Sequence, residues 1–447
     1  MVVHNAAIAQ TTRPAHELRT WLGSLRARST GSARVNVWTV VVLVLVMAVG
    51  TTAAILASTG TGTSGASGAA PQRRSHAVAR SGATTLPPRP SPTASDAAQR
   101  LVSQGAAAWL TSDVSQMVAA QSPTNEIGLW IGGDPVQWRA NSGPGLAAAA
   151  VAALDGNATM RSDAIQTFNA LIGAHQQPNG SFTAVAGTAG PQSADVDTMF
   201  FVTNLGMALW ALRSQLPASD VATWTSAVTG GANYLVYNGN LRYYTNGNIA
   251  VGNALVMALA YWATDDPIYE GDYTQAVSFA IAPPQTGQSA GFGFVTTKVP
   301  TQADGSDGAG YFAESGGGTP GFDANYTELQ LDQLVRLYLV TKSAALLRLI
   351  NMEFNQEWPS VNATTWELDT SGGTRHPQPD RYVPYVTPAL ELLALYGGRN
   401  DLAGYVQSHL QEMRNYYAGY TTNWSPGGVY GFGVEAASLV LMADSPS

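Results

Sequence analysis

From residue 99 onward, apolar residues recur at helical spacing in pairs of segments separated by turn-rich stretches. The pattern predicts twelve helices, near 99–121, 144–155, 159–175, 198–214, 218–237, 250–264, 270–282, 325–341, 343–357, 384–397, 400–417 and 433–443. Two kinds alternate. GLAAAAVAAL (145–154), TMFFVTNLGMALWAL (198–212), NALVMALAYWA (253–263), YTELQLDQLVRLYLV (326–340), VTPALELLALYG (386–397) and VEAASLVLMA (434–443) are apolar nearly all round, whereas MRSDAIQTFNALIGAHQQ, SDVATWTSAVTGGANYL and LAGYVQSHLQEMRNYY keep a polar face. A helix apolar on every side is buried, and one with a polar face lies at the surface. Six buried helices interleaved with six amphipathic ones predict an all-α fold, the (α/α)6 toroid, a double ring of twelve helices. The starts of the apolar members recur with a period of helix-hairpin size. A solenoid would repeat more tightly, and an irregular bundle would not alternate. Strand signals are confined to VTTKVPT near 295 and RYYTNG near 242.

Upstream the pattern changes twice. Residues 37–57 carry no charge, and at about 1.5 Å rise per residue they span about 30 Å, the thickness of a bilayer core. A secretory apolar region runs to only about 7–15 residues, so this segment reads as one transmembrane helix and membrane anchor. A cleaved signal is the alternative, because small residues follow it. Arginines outnumber acids in the first 36 residues, which by the positive-inside rule makes 1–36 a basic cytoplasmic tail. Residues 58–98, rich in Ser, Thr, Gly, Ala and Pro, read as a disordered linker. Residues 99–447 then form an extracytoplasmic domain at the cell membrane, and they stay outside even if the apolar segment is cleaved. Arginine outnumbers lysine 20 to 2, a bias that hints at a high-GC bacterial source.

Composition narrows the chemistry. The chain has no cysteine, which excludes disulfides, thiolate metal sites and a cysteine nucleophile. After residue 98 there are 13 basic against 28 acidic residues, a net charge of −15. Such a surface is a poor match for nucleic acid, and it counts, less firmly, against a strongly anionic polymer. The histidines show no metal-ligand spacing, and neither metal nor cofactor is expected.

The loops that precede the apolar helices carry the polar and aromatic residues, and in an alternating ring they gather at one end. The first, NEIGLWIGGDPVQWRANSGPG, holds Trp130, Trp138, Arg139 and Asn141; the second holds Asp195 and Asp197; the third holds Tyr244. The fourth and longest, GFGFVTTKVPTQADGSDGAGYFAESGGGTPGFDANYTE, holds Glu314, Asp323, Asn325, Tyr326 and Glu328; the fifth, TTWELDTSGGTRHPQPDRYVPY, holds Trp366, Arg375, His376, Arg381 and Tyr382; the sixth holds Trp424 and Tyr430. Connections in helical bundles run about 2–8 residues, so loops this long point to function. Aromatic faces stack on sugar rings while amides and carboxylates bind hydroxyls, so these loops suggest one glycan cleft.

Glycosidic cleavage needs one protonated and one ionised carboxyl, about 6.5–9.5 Å apart for inversion. Glu314, between an aromatic pair and a glycine run, is the candidate acid, with Asp197 or Asp195 as the opposed base. Asp323, Asn325 and Tyr326 would position substrate with Arg139, Asn141, Tyr244, His376 and Arg381, and Trp130, Trp138 and Tyr382 would stack on it. Structural roles compete. Asp197 and Asp323 are placed to cap helices and Glu328 to face a helix dipole, while His376 before Pro377 suits a loop hydrogen bond.

AGYFAESGGGTPGFDANYTELQLDQLVRLYLVTKSAALLRLI resembles part of the secreted (α/α)6 carbohydrate-active enzymes, the glycoside hydrolase and heparinase-like or alginate-lyase-like toroids, and ELDTSGGTRHP adds a weaker echo. The likeness covers roughly a tenth of the chain. In the lyases a tyrosine, a histidine and an Asn or Arg that neutralises a carboxylate abstract a proton beside a uronate; Tyr326, His376, Asn141 and Arg381 would fill those places. FNALIGAHQQPNGSF followed by SADVDTMFF is similar to the glutamine–aromatic repeat and acidic motif of class II terpene cyclases, although Thr198 stands where their second consecutive aspartate would. The expected activity is therefore cleavage of a wall or capsular polysaccharide by hydrolysis, with elimination second. A non-catalytic glycan-binding or wall-assembly protein is the rival from another class.

Overall fold

A computed structural model describes residue 112, residues 138–183, 194–282 (apart from 239 and 243–245), 293–314, 320–402 (apart from 378–380 and 383–385) and, in part, 404–412. The predicted span 37–57, the linker 58–98 and the helices near 99–121 and 433–443 lie outside these residues. Among those described, no helix is long and apolar enough to cross a membrane.

Nine α-helices are described: α1 (Ser142–Asp155), α2 (Ala158–His175), α3 (Ala194–Leu212), α4 (Ala218–Tyr237), α5 (Gly247–Thr264), α6 (Pro267–Ile281), α7 (Ala324–Thr341), α8 (Ala344–Glu357) and α9 (Thr387–Tyr396). Local chemistry explains their ends. The Asn157 side chain caps α2 by accepting from the Thr159 and Met160 N–H groups. Asp266 caps α6, with Pro267 in the first turn where a missing N–H costs nothing. Gly156, at φ 74°, ends α1 in the left-handed conformation that glycine adopts without strain.

The alternation of the sequence is the alternation of the fold. Helices α1, α3, α5, α7 and α9 pack each on the next in an inner row, and α2, α4, α6 and α8 each lie outside the inner helix that precedes them. The inner helices are buried on nearly every side; α5 buries Ile249, Val251, Leu255, Val256, Met257 and Leu259 among others. The outer helices bury a single stripe, such as Met160, Ala164, Phe168 and Leu171 of α2. Over the nine described helices this is the two-layered alternation expected of an (α/α) toroid. Two antiparallel ribbons decorate it: β1 (Phe294–Lys298) with β2 (Ala309–Phe312), and β3 (Leu368–Asp369) with β4 (Arg381–Tyr382). Of the other signal, RYYTNG, Arg242 ends a 3-10 turn that starts at Asn240, and residues 243–245 lie outside those described.

Polar side chains cross the interior. Arg336 of α7 donates to Asn204 Oδ1 of α3 at 2.9 Å and pairs with Asp332. Asn204 donates to Ser142 Oγ at the start of α1 at 2.8 Å, and Ser142 in turn donates to the Arg139 carbonyl at 2.6 Å. Each member meets a partner, as burial requires, and the chain of bonds ties α7 to the end of the first loop.

Candidate active site

The candidate residues gather at the N-terminal ends of α1, α3, α5 and α7, where orphan N–H groups and helix dipoles favour negative charge. Glu314 follows β2 and pairs through its backbone with Gly321. Its side chain is fully buried. Oε1 accepts from the Asn248 N–H at 3.1 Å, in the first turn of α5, and from Gln330 Nε2 of α7 at 2.8 Å. Oε2 faces Arg375 Nη1 at 3.4 Å. Burial pushes the Glu314 carboxyl up to about 7 and the nearby Asp323 charge adds to this, against the pull of Arg375 and the two donors. The approach depends on Gly247: a Cβ there would lie 2.3 Å from Phe312 Cβ, so only glycine lets α5 begin this close to β2.

Asp323 caps α7, as the sequence allowed, and does more. Its Oδ1 accepts from the Tyr326 N–H and faces His376 Nδ1 at 3.1 Å; its Oδ2 accepts from the Arg375 and His376 N–H groups at 2.6 and 2.9 Å. Burial pushes this carboxyl up, but the His376 bond and charge and the two N–H groups outweigh it and hold the group below its ordinary value. The fifth loop is thereby clamped onto the start of α7. Thr374 adds a bond to the Glu314 carbonyl at 3.0 Å.

Tyr326 stands in the middle. The Arg375 guanidinium lies 3.9 Å from its ring centroid, and the His376 ring stacks on it at 5.5 Å. Burial pushes the phenol up to about 12; Arg375 and Arg139 work against this, while Glu314 and Asp323 reinforce it. Arg139, whose charge bears on Tyr326, is also the partner of Asp197 at 2.5 Å. Burial raises the Asp197 carboxyl against the pull of Arg139, with Asp195 adding to the rise. Asp197 sits inside α3, which starts at Ala194, so it is a first-turn residue and no cap. Among the described residues no hydrogen bond joins Asp197 to Glu314; both Arg139, the partner of Asp197, and Glu314 bear electrostatically on Tyr326. Asp195, Asn325 and Tyr326 are partly exposed at the same end.

Other candidates are placed elsewhere. Trp138, expected as a sugar platform, is 2% exposed, with its ring stacked on His175 at 4.1 Å and tilted against Phe201. It is a core residue, because the 3-10 turn Trp138–Asn141 tucks it under α1. Trp366 is likewise buried against Trp358, Tyr405 and His409. Asn141 is buried and donates to the Trp138 carbonyl at 3.0 Å, which closes the turn where a substrate contact was expected. Trp130, Tyr244, Trp424 and Tyr430 lie outside the described residues, and for Arg381 and Tyr382 only the backbone of β4 is described.

The structure also brings in residues that the sequence gave little reason to choose. Asn248 and Gln330 join Arg375, which the fifth loop offered without a role, around Glu314. Behind them on α8, Glu353 and Glu357 are fully buried, and burial raises both carboxyls well above the ordinary range, helped by neighbouring acids. Their spacing of four on an otherwise apolar face was the available signal. Among the described residues no group of His, Asp and Glu is arranged to hold a metal ion.

No family model matches the chain, and no curated protein does. Among solved structures it is similar to a D-mannose isomerase (TM-score 0.45, 14% identity, 75% of this chain and 97% of that one). It is also similar to a family 76 glycoside hydrolase from a bovine Bacteroides thetaiotaomicron strain (0.40, 12%, 75% and 76%). A third is a family 76 mannosidase from Bacteroides thetaiotaomicron VPI-5482 (0.41, 12%, 76% and 97%). At these scores no residue of those proteins is carried over to this chain.

Proposed function

We propose that the chain is a membrane-anchored, extracytoplasmic carbohydrate-active enzyme that cleaves glycosidic bonds at the N-terminal ends of its inner helices. The observation that carries the reading is Glu314, a wholly buried carboxyl held near neutrality, with ionised Asp323 and the Arg139–Asp197 pair around the neighbouring Tyr326. Glu314 is pushed up and Asp323 is held low, and surroundings that drive two proton affinities apart suit acid and base work at one bond. Burial pushes Asp197 up against the pull of Arg139, so its part as base rests on that ion pair. Glu314 would give its proton to the departing oxygen once the substrate displaces Arg375 from Oε2, and Asp197 would serve the water. The test is the full chain in mild detergent, screened against wall and capsular polysaccharides with product analysis. Glu314→Gln and Asp197→Asn should each abolish cleavage; full activity in both refutes the assignment.

A second reading, elimination, is favoured by one arrangement. Asp323 holds His376 Nδ1, which leaves Nε2 available to accept a proton beside Tyr326. Products with the ultraviolet absorbance of an unsaturated uronate, lost in His376→Gln and kept in Asp197→Asn, would select it. The membrane location has its own check: a protease added to intact cells should remove the domain after residue 58 and spare the N-terminal tail.

A further inference from the structure

Three pairs surround Tyr326, and all three are oriented alike. Arg139 is 26% exposed over Asp197 at 1%, Arg375 is 11% exposed over Glu314 at 0%, and His376 is 19% exposed over Asp323 at 0%. In each, the carboxyl is sealed inside and the basic group faces outward. Their donors are not used up. Arg139 spends Nη1 on Asp197 and Arg375 spends Nη1 on a 3.4 Å contact, and among the described residues the Nε and Nη2 groups of both, and the Tyr326 hydroxyl, have no partner. The first turns of α3, α5 and α7 add positive dipole ends beneath them.

We infer that this end of the ring is an anion subsite, taking a sugar unit that bears an oxyanion substituent, a carboxylate or a phosphate ester, on Arg139, Arg375 and the Tyr326 hydroxyl. This rests on the carbohydrate reading and narrows it, in the direction that the net charge of the chain counted against. Arginine forks suit both substituents because two N–H groups meet two oxygens. The fixed carboxylates do not cancel the attraction. They are covered, and each outer guanidinium retains free donors toward a ligand.

The experiment is calorimetric titration of the full chain in mild detergent with glucose, glucuronate and glucose 6-phosphate. At least one anionic sugar should bind about tenfold or more tighter than glucose, as expected for charge-assisted bonds, and the preference should shrink as salt rises. Whichever anion wins names the substituent. Removing Arg139 alone would strand buried Asp197, so the variants are Arg375→Gln and the charge-neutral double change Arg139→Gln with Asp197→Asn. Both should lose the anion preference, read within each variant as the ratio of its anionic-sugar affinity to its glucose affinity. Equal binding of glucose and both anions overturns the inference and leaves the carbohydrate reading standing. A preference that survives in both variants overturns it too, and binding of none of the three sugars overturns both readings together.

Discussion

Glu314→Gln tests the electrostatics of the site without any substrate. Below about pH 4.5 Glu314 is protonated whether the chain is folded or unfolded, so its stabilising contribution is fully present. As pH rises, the unfolded chain ionises first, because the folded carboxyl is held at about 7 against an ordinary 4.5, and that contribution is lost across this window. At 1.36 kcal/mol per unit the loss reaches about 3 kcal/mol above pH 7. Gln cannot ionise, so the variant escapes it. It sacrifices a rearranged hydrogen bond, about 1 kcal/mol at every pH. The variant should therefore be about 1 kcal/mol less stable than wild type at pH 4.5 and about 2 kcal/mol more stable at pH 8. Urea unfolding followed by tryptophan fluorescence measures both. Glu353 and Glu357 shift in the same sense and steepen the slope of both proteins, and the Glu314 charge helps raise Glu353, so the difference between the two reads Glu314 together with that coupling. A wild-type-minus-variant gap that stays constant from pH 4.5 to 8 would refute the raised carboxyl, and with it the candidate acid.

Three further outcomes check the construction of the site. Trp138→Ala should cost about 3–5 kcal/mol of stability, as emptying a buried aromatic site does; a normal urea midpoint with a raised KM would mean the ring faces substrate after all. Gly247→Ala drives a Cβ into Phe312 and Gln330, so it should lower stability by about 1–3 kcal/mol and reduce cleavage. Unchanged midpoint and rate would show that α5 does not begin against β2. Arg336→Met removes a guanidinium shared by Asp332 and Asn204 and should destabilise by about 3–5 kcal/mol, the cost of breaking a buried ion pair by deleting one of its members. Thermal unfolding reads this directly, and a loss below about 1 kcal/mol would disprove the cross-ring strut.

Periodicity carried most of the fold because burial on every side leaves an unmistakable composition. GLAAAAVAAL and NALVMALAYWA could only be inner helices, and the structure makes them α1 and α5. The hairpin arm near 295 was legible from its β-branched residues and became β1. The site was legible as a set of loops, and in Glu314, Asp323, Tyr326 and His376 as a cluster. Its finer geometry was not. Trp138 looked like a loop aromatic because its neighbours are polar, and only the turn that folds it onto His175 shows it to be core. Asn248 and Gln330 lie inside helices whose pattern reads as packing, and nothing local reveals that they converge on a carboxylate 66 and 16 positions away.

Net charge misled for a related reason. A count of −15 after residue 98 describes the field far from the protein, whereas a ligand within a few ångströms meets only the outermost groups. Around Tyr326 the fold has sorted the charges by depth. Carboxyls are small enough to be covered, and Glu314 and Asp323 accept there from first-turn N–H groups of α5 and α7, while the long arms of Arg139 and Arg375 reach past them toward solvent. Covering Glu314 pushes its carboxyl up to about 7, so part of the formal negative charge beneath the arginines is neutral near pH 7, whereas Asp323, equally covered, is held below its ordinary value by His376 and two N–H groups. The same burial that prepares Glu314 to donate a proton therefore also leaves the mouth of the site more positive than its composition. On the proposed reading, an acid for cleavage and a seat for an anionic sugar are two consequences of one layering, so any change that exposes Glu314 to water should weaken both.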